Sequence, residues 1–480
     1  MKARLLAIIL VIVSVSPAIA ADAPTATVDP AAKVIERASF SVPRAAPRIS
    51  GTTESFMFLS QRQQMRQRNP GEFERQDLTV MPFYEILSLR ADHLGHPGLS
   101  VHLQAIAGLD LADVYFDNRF IADPVYAYIQ FQNRLLDAKL GRQMIFSGAA
   151  QGVHIDGARI SFITPFHLGL DGYAGLLVSP KQGPDWYQSE RASDFDKFGR
   201  GLTDWKREGD FAVGGRLFFR YEEAANIGVS LLQLSDNRET AARLLGTDLH
   251  IAPASWISIL GNTNLDLTTF AMRDATGRLQ FNIGDTANVG VEYKHVDPTL
   301  YIANTSIFSV FSNEKHNAVG TSVGLTLVKR LKIFAAYHQL FYQYLKDDDG
   351  EWKAAGETGQ KIEVDTTLRV GPAAHYGVAR AGFARTGRDG AAVNQVRVGG
   401  LIPFGSSGIK SSMNAYLDFY QEPVMDQNYS ILTDVGVFYY TERMRTGATF
   451  RVGSTPWSDM ELQGMITFAY NFLKTFSNQE

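Results

Sequence analysis

Apolar and polar positions alternate with a period of two along most of this chain. Over 459–472, Met460, Leu462, Gly464, Ile466, Phe468, Tyr470 and Phe472 fall on one side of an extended strand. Glu461, Gln463, Met465, Thr467, Ala469 and Asn471 fall on the other. The pattern recurs over 99–111, where Leu99, Val101, Leu103 and Leu109 oppose His102, Gln104 and Asp110. It recurs over 125–134, where Val125, Ile129 and Phe131 oppose Tyr126, Tyr128, Gln130 and Arg134. Further copies lie at 211–221, 362–370 and 444–452. No helix-period segment separates them. The polar faces carry Arg, Asp and Glu in mid-strand, where only a wet interior solvates them. These features predict an all-β fold, a closed antiparallel barrel that spans a membrane. About 18 strands are expected, with roughly 16 to 22 allowed. Some candidates, such as 278–284, look short against the ~9–11 residues a spanning strand needs.

The connections alternate in length. Asp92–Gly98, Thr164–Pro165, Glu222–Ala225, Lys329–Lys332, Gly371–His375 and Gly405–Gly408 read as short turns. Arg62–Gln76, Ala112–Asp123, Pro180–Glu208, Asp297–His316, Leu345–Gly359 and Gln421–Tyr429 read as long loops. Short periplasmic turns and long outer loops would give this asymmetry. The first residues form a secretory signal: Lys2 and Arg4, an apolar core from Leu5 to Val15, then Ala18-Ile19-Ala20. The expected layout is therefore a signal over 1–20, a flexible Ala/Pro/Thr-rich periplasmic arm over 21–50 and the barrel over 51–480.

Composition narrows the chemistry. There are 0 Cys in the chain, which excludes disulfides, thiolate metal sites and a cysteine nucleophile. A formal net charge of −4 gives no basic field for nucleic acid. After Val15 no run reaches the ~18 apolar residues of a spanning helix. No cofactor or metal is expected. His93 and His96 lack a third ligand. Asp347-Asp348-Asp349-Gly350-Glu351 misses the calcium-loop pattern, because its sixth position is Trp352 rather than Gly.

Inside a barrel the functional surface is the lumen wall. Parity turns Arg134, Lys139, Arg159, Arg216, Arg220, Arg369, Arg397, Arg445 and Arg451 inward, together with Lys294 and Lys410. The acids expected among them include Asp137, Asp171, Glu292, Glu363, Asp365, Asp418 and Asp434. Mixed signs suit a salt-bridged wall that holds a wide lumen open; a constriction needs loops folded inward. Tyr126 and Tyr128 could stack on sugar rings or serve in an interfacial girdle. Arg62, Arg66, Arg68 and Arg75 fit lipopolysaccharide phosphates or a solvated loop. Gly320-Thr321-Ser322-Val323-Gly324 matches G-x-S-x-G but lies within an alternating strand, without the strand-to-helix turn that a nucleophile requires.

The sharpest local sequence runs from Lys139 to Phe162, KLGRQMIFSGAAQGVHIDGARISF. It resembles the alginate-export family of outer-membrane barrels through Gly141, Arg142, Gln143, Gly148, Asp156, Gly157 and Arg159. Other porin-like barrels share such hairpins, and SGAAQGVHI departs from that family's Arg- and Asn-rich loop. The resemblance implies a channel in the bacterial outer membrane that exports a polysaccharide, an anionic one included. A general uptake porin and a barrel-embedded hydrolase are the alternatives. The partners expected are outer-membrane lipid and lipopolysaccharide, the barrel assembly machinery, the hydrophilic solute or polysaccharide, and a periplasmic export partner. From the residues themselves, a charge-assisted bond from Arg142 or Arg159 to Asp156 would anchor the hairpin.

Overall fold

The computed structural model describes residues 46–69, 72–112, 120–178, 210–236, 239–296, 315–342, 344–346, 352–354, 358–372, 376–388, 392–405, 407–424, 426–456 and 458–475. The signal, most of the expected arm and the Asp347–Glu351 run lie outside them.

The described chain is almost wholly strand. In order these are β1 (Arg48–Asn69), β2 (Glu72–Val80), β3 (Pro82–Asp92), β4 (Leu99–Asp110), β5 (Phe120–Gln132), β6 (Leu136–Ser147), β7 (Ala150–Ile163) and β8 (Leu168–Leu177). Next come β9 (Phe211–Tyr221), β10 (Ala225–Asp236), β11 (Glu239–Ala254), β12 (Ile257–Asp266), β13 (Ala271–Ile283), β14 (Ala287–Val296), β15 (His316–Val328) and β16 (Leu331–Tyr342). The rest are β17 (Tyr344–Lys346), β18 (Trp352–Ala354), β19 (Thr358–Val370), β20 (Gly377–Arg388), β21 (Val393–Pro403), β22 (Ile409–Val424), β23 (Gln427–Tyr440), β24 (Met444–Thr455) and β25 (Ser458–Thr475).

Each wall strand pairs antiparallel with the next. β1 closes the ring by pairing with β25, from Arg48–Thr475 to Arg62–Glu461, and with β3 on its other side. β2 folds back only on the upper part of β1, and β17–β18 form a separate hairpin. The wall therefore has 22 strands rather than about 18. The undercount came from strands such as β13. The candidate at 278–284 is the end of a 13-residue strand. Its outward positions include Ala275 and Gly277, too small to signal a hydrophobic face.

Two other expectations change. Arg62–Gln76 is largely a β1–β2 hairpin, with backbone pairing from Ser60–Val80 to Asn69–Glu72. Gln421–Tyr429 is not a long loop, since β22 reaches Val424 and β23 starts at Gln427. The barrel also begins at Arg48, within the stretch assigned to the arm.

One face of the wall shows hydrocarbon to the outside. Leu170, Leu217 and Val229 form one register row and are 59%, 60% and 50% exposed. Such a row is stable only in an apolar solvent. Aromatic rings gather at both rims. Tyr221, Trp256, Phe404 and Tyr439 stand at the short-turn end; Phe120, Phe270, Tyr293 and Phe341 stand at the other. The closed ring leaves no sheet ends, and the apolar belt faces outward. This is a transmembrane β-barrel of the bacterial outer-membrane kind.

Candidate functional site: the lumen wall and an inward-folded hairpin

The inner wall is laced with ion pairs between neighbouring strands, because parity turns the charged positions of successive strands to the same side. Arg159 donates from Nε and Nη2 to Asp171, both at 2.9 Å. Arg216 donates from Nε to Asp248 at 2.8 Å and from Nη2 to Asn226 at 3.0 Å, and lies over the Phe218 ring at 4.7 Å. Arg220 covers the same ring at 5.2 Å. Arg397 bridges two acids, reaching Glu363 at 2.7 Å and Asp365 at 2.9 Å. Arg451 holds Asp434 in a fork, with one arm at 3.0 Å. Arg445 stands 4.0 Å from Glu54, and Arg369 lies over Tyr376 at 4.9 Å. Arg134 is not in the wall at all. It is exposed in the turn between β5 and β6.

Tyr126, Tyr128 and Lys139 come together, and sequence reasoning missed their neighbours. Lys139 Nζ sits 5.2 Å from the Tyr128 ring centre. His102 stacks on Tyr128 with centroids 4.7 Å apart and planes 14° apart. These rings border a recess of about 460 Å³ on β25, β1, β3, β4 and β5, lined also by Arg48, Arg90, Gln104, Thr52 and Asn471. Arg90 is held by Asp92 at 2.8 Å. The recess lies toward the short-turn end. Alternation already turned His102 inward; only the β4–β5 register, His102 opposite Tyr128, makes the stack.

The stretch from Lys139 to Phe162 does more than stiffen a hairpin. Arg142 forks Asp156 at 2.7 and 2.9 Å, while Arg159 takes Asp171 instead. Above this point the ends of β6 and β7 fold into the lumen as a flap. Ser147 Oγ donates to Asp171 at 2.6 Å, and the Ala149 amide donates to Ser230 Oγ at 2.6 Å. Ile145, Ala149, Ala150 and Ile155 pack on Tyr173, Ala212, Leu232 and Leu244 of β8 to β11. Glycines allow the close approach. A Cβ on Gly148 would meet Ser230 Oγ at 2.1 Å, and one on Gly246 would meet the Ala149 amide at 2.7 Å. Gly148 also has a φ of +56°, which glycine adopts without strain.

Asp171 is buried and is held by both Arg159 and the flap's Ser147. Arg159→Met should strand that carboxylate and cost about 3 kcal/mol. Urea unfolding in detergent micelles would read this as a lower midpoint; an unchanged midpoint would mean that water solvates Asp171 fully.

Ser322 is buried on the lumen face of β15, with no sharp turn beside it. His338 lies across Gly320, where a Cβ would meet its ring at 2.2 Å. Its ring nitrogens have no hydrogen-bond partner among the described residues, and Nε2 is 3.8 Å from Glu292. This is not a nucleophile–base pair. His93 and His96 instead organise their turn: His93 Nδ1 lies 2.9 Å from the Pro97 carbonyl oxygen, and His96 Nδ1 accepts from the Gly98 amide at 3.0 Å.

No protein-family model matches this chain, and no curated protein does. Solved structures with similar architecture include the P pilus usher (PapC) translocation pore, at 9% identity and TM-score 0.42, covering 89% of this chain and 100% of that one. Pseudomonas aeruginosa OccK3 (OpdO) aligns at 8% identity and TM-score 0.42, covering 89% and 96%. Pseudomonas aeruginosa OccK2 (OpdF), in complex with glucuronate, aligns at 10% and TM-score 0.40, covering 89% and 96%. Likenesses this distant carry no argument about activity.

Proposed function

We propose that this barrel is a passive channel for hydrophilic solutes, and that its preferred cargo is an acidic saccharide polymer on its way out of the cell. The observation that carries the cargo reading is the recess of Tyr126, Tyr128, His102, Arg48 and Arg90, with Lys139 beside the Tyr128 ring. Flat rings suit the C–H faces of sugars, and cations beside them suit carboxylates. The short turns stand on the periplasmic side, so the recess would meet material arriving from the periplasm. In this reading the barrel sits among outer-membrane lipid and lipopolysaccharide. Barrel-assembly machinery inserts it, and a periplasmic export partner delivers the polymer. The paired wall charges keep water in the lumen, and the flap narrows the path.

Planar-bilayer recording tests both parts. The purified barrel should conduct salt. Oligogalacturonate added on the periplasmic side should reduce the single-channel current at concentrations where neutral dextran oligomers of equal length do not. Tyr128→Ala should weaken that block about tenfold. Equal block by both sugars overturns the acidic-cargo reading; a non-conducting barrel overturns the channel.

A further inference from the structure

The wall is interrupted between β5 and β6. Their register holds only from Ala127–Arg142 to Gln132–Asp137, while β5 stays paired with β4 up to Leu109–Phe120. Above Arg142, β6 turns inward with the flap and, among the described residues, pairs only with β7. Among the described residues, 120–126 of β5 thus have a free edge where other wall strands have a neighbour. Pro124 lies on this edge, where its missing N–H costs nothing.

Side chains replace the missing ladder. Arg142 Nη1 donates to the Pro124 carbonyl and to Asp123, each at 2.9 Å. His154 Nε2 lies 2.8 Å from the Val125 carbonyl oxygen. In hydrocarbon every backbone polar group needs a partner, so these contacts act as a clasp across the break. They are few, and unlike a strand ladder they can be released one side chain at a time.

The surfaces flanking the break are apolar. On one side Ile106 is buried with Phe58 and Tyr84, and Ile121 and Val125 pack against them. On the other stands the flap. Its Ile145 and Ile155 face the wall of β8 to β11, so strand alternation turns Phe146 away from that wall, and it is 68% exposed. Outside, the lipid-facing Phe120 stands at the same edge, 60% exposed. Apolar surface therefore runs from the membrane belt to the lumen, with a charged clasp beside it.

We propose that this break is a side portal between lumen and membrane, and that it takes an amphiphile, a molecule with an alkyl chain and a polar head. The chain would lie against Ile121 and Phe146, continuous with the lipid-facing belt. The head would exchange with the contacts among Arg142, Asp123 and His154. A fully hydrophilic solute gains nothing from such a lining, because burying apolar surface is what stabilises a bound chain. The portal goes beyond the axial channel proposed above and does not depend on its cargo.

The test uses the intact barrel in proteoliposomes and 11-(dansylamino)undecanoic acid as probe. Saturable binding is expected, with a blue-shifted dansyl emission. Phe146→Ser combined with Ile121→Ser should weaken it about tenfold or more. Arg142→Ala, which opens the clasp, should speed probe exchange between lipid and protein. The heat-modifiable gel shift of folded barrels verifies that each variant is folded, and Leu140→Ser, on the lipid face of β6 below the break, serves as a folded control. Non-saturable binding, or equal binding by the double variant and the control, overturns the portal. Salt conductance of the wild type is read separately: a conducting barrel that fails to bind the probe retains the channel and loses the portal.

Discussion

Leu217→Arg is expected to lower the unfolding free energy of the barrel by about 2–4 kcal/mol. Leu217 is the middle of an outward row with Leu170 and Val229, and all three are half or more exposed. In water that exposure would be a liability; in lipid it is the stabilising face. A guanidinium there must bend toward a headgroup or draw water into the hydrocarbon. Urea titration in liposomes measures the change. Gly172 makes the matching control, since it shares the outward face of the neighbouring strand with Leu170 and a Cβ there meets nothing within 4 Å, and Gly172→Ala should leave the midpoint nearly unchanged. If Leu217→Arg behaves like the control, the outer surface is wet and the membrane assignment falls.

The second large effect concerns the flap. Replacing 146–151 with a two-residue Asn-Gly link removes its tip while keeping the paired lower parts of β6 and β7. Single-channel conductance should rise by about two-fold or more, since the tip lies over the inner face of β8 to β11. The cut also uncovers Ala212 and Leu232, which the flap buries, so some loss of stability should accompany it. A folded variant with unaltered conductance would place the ionic path away from the flap. Ser230→Ala is a milder probe. It removes the acceptor of the Ala149 amide and should raise open-channel current noise without a large change in mean conductance.

Much of the wall was legible from parity alone. The inward set from Lys139 to Arg451 stands in the strands where alternation put it, and Met460 to Phe472 alternate as the closing strand. Arg134 escaped the rule because its strand had already ended. The strand count failed where outward positions were small, as at Ala275 and Gly277. Arg142 shows the deeper limit. Its pairing with Asp156 was foreseeable from the local hairpin, but its contacts with Asp123 and Pro124 join strands whose register stops at that same residue.

Alternation is a property of neighbours two residues apart, so the chain by itself determined strands, faces, a membrane-spanning barrel and the sign of charge on each inner position. Closure is a different kind of fact. That Arg48 meets Thr475, that 22 strands complete the ring, and that Ala149 reaches Ser230 all depend on hydrogen-bond register and glycine clearances accumulated across many strands. No local pattern encodes such distances. Tertiary structure alone therefore decided the lumen's width, the flap that narrows it, the tyrosine–cation recess and the break in the wall between β5 and β6.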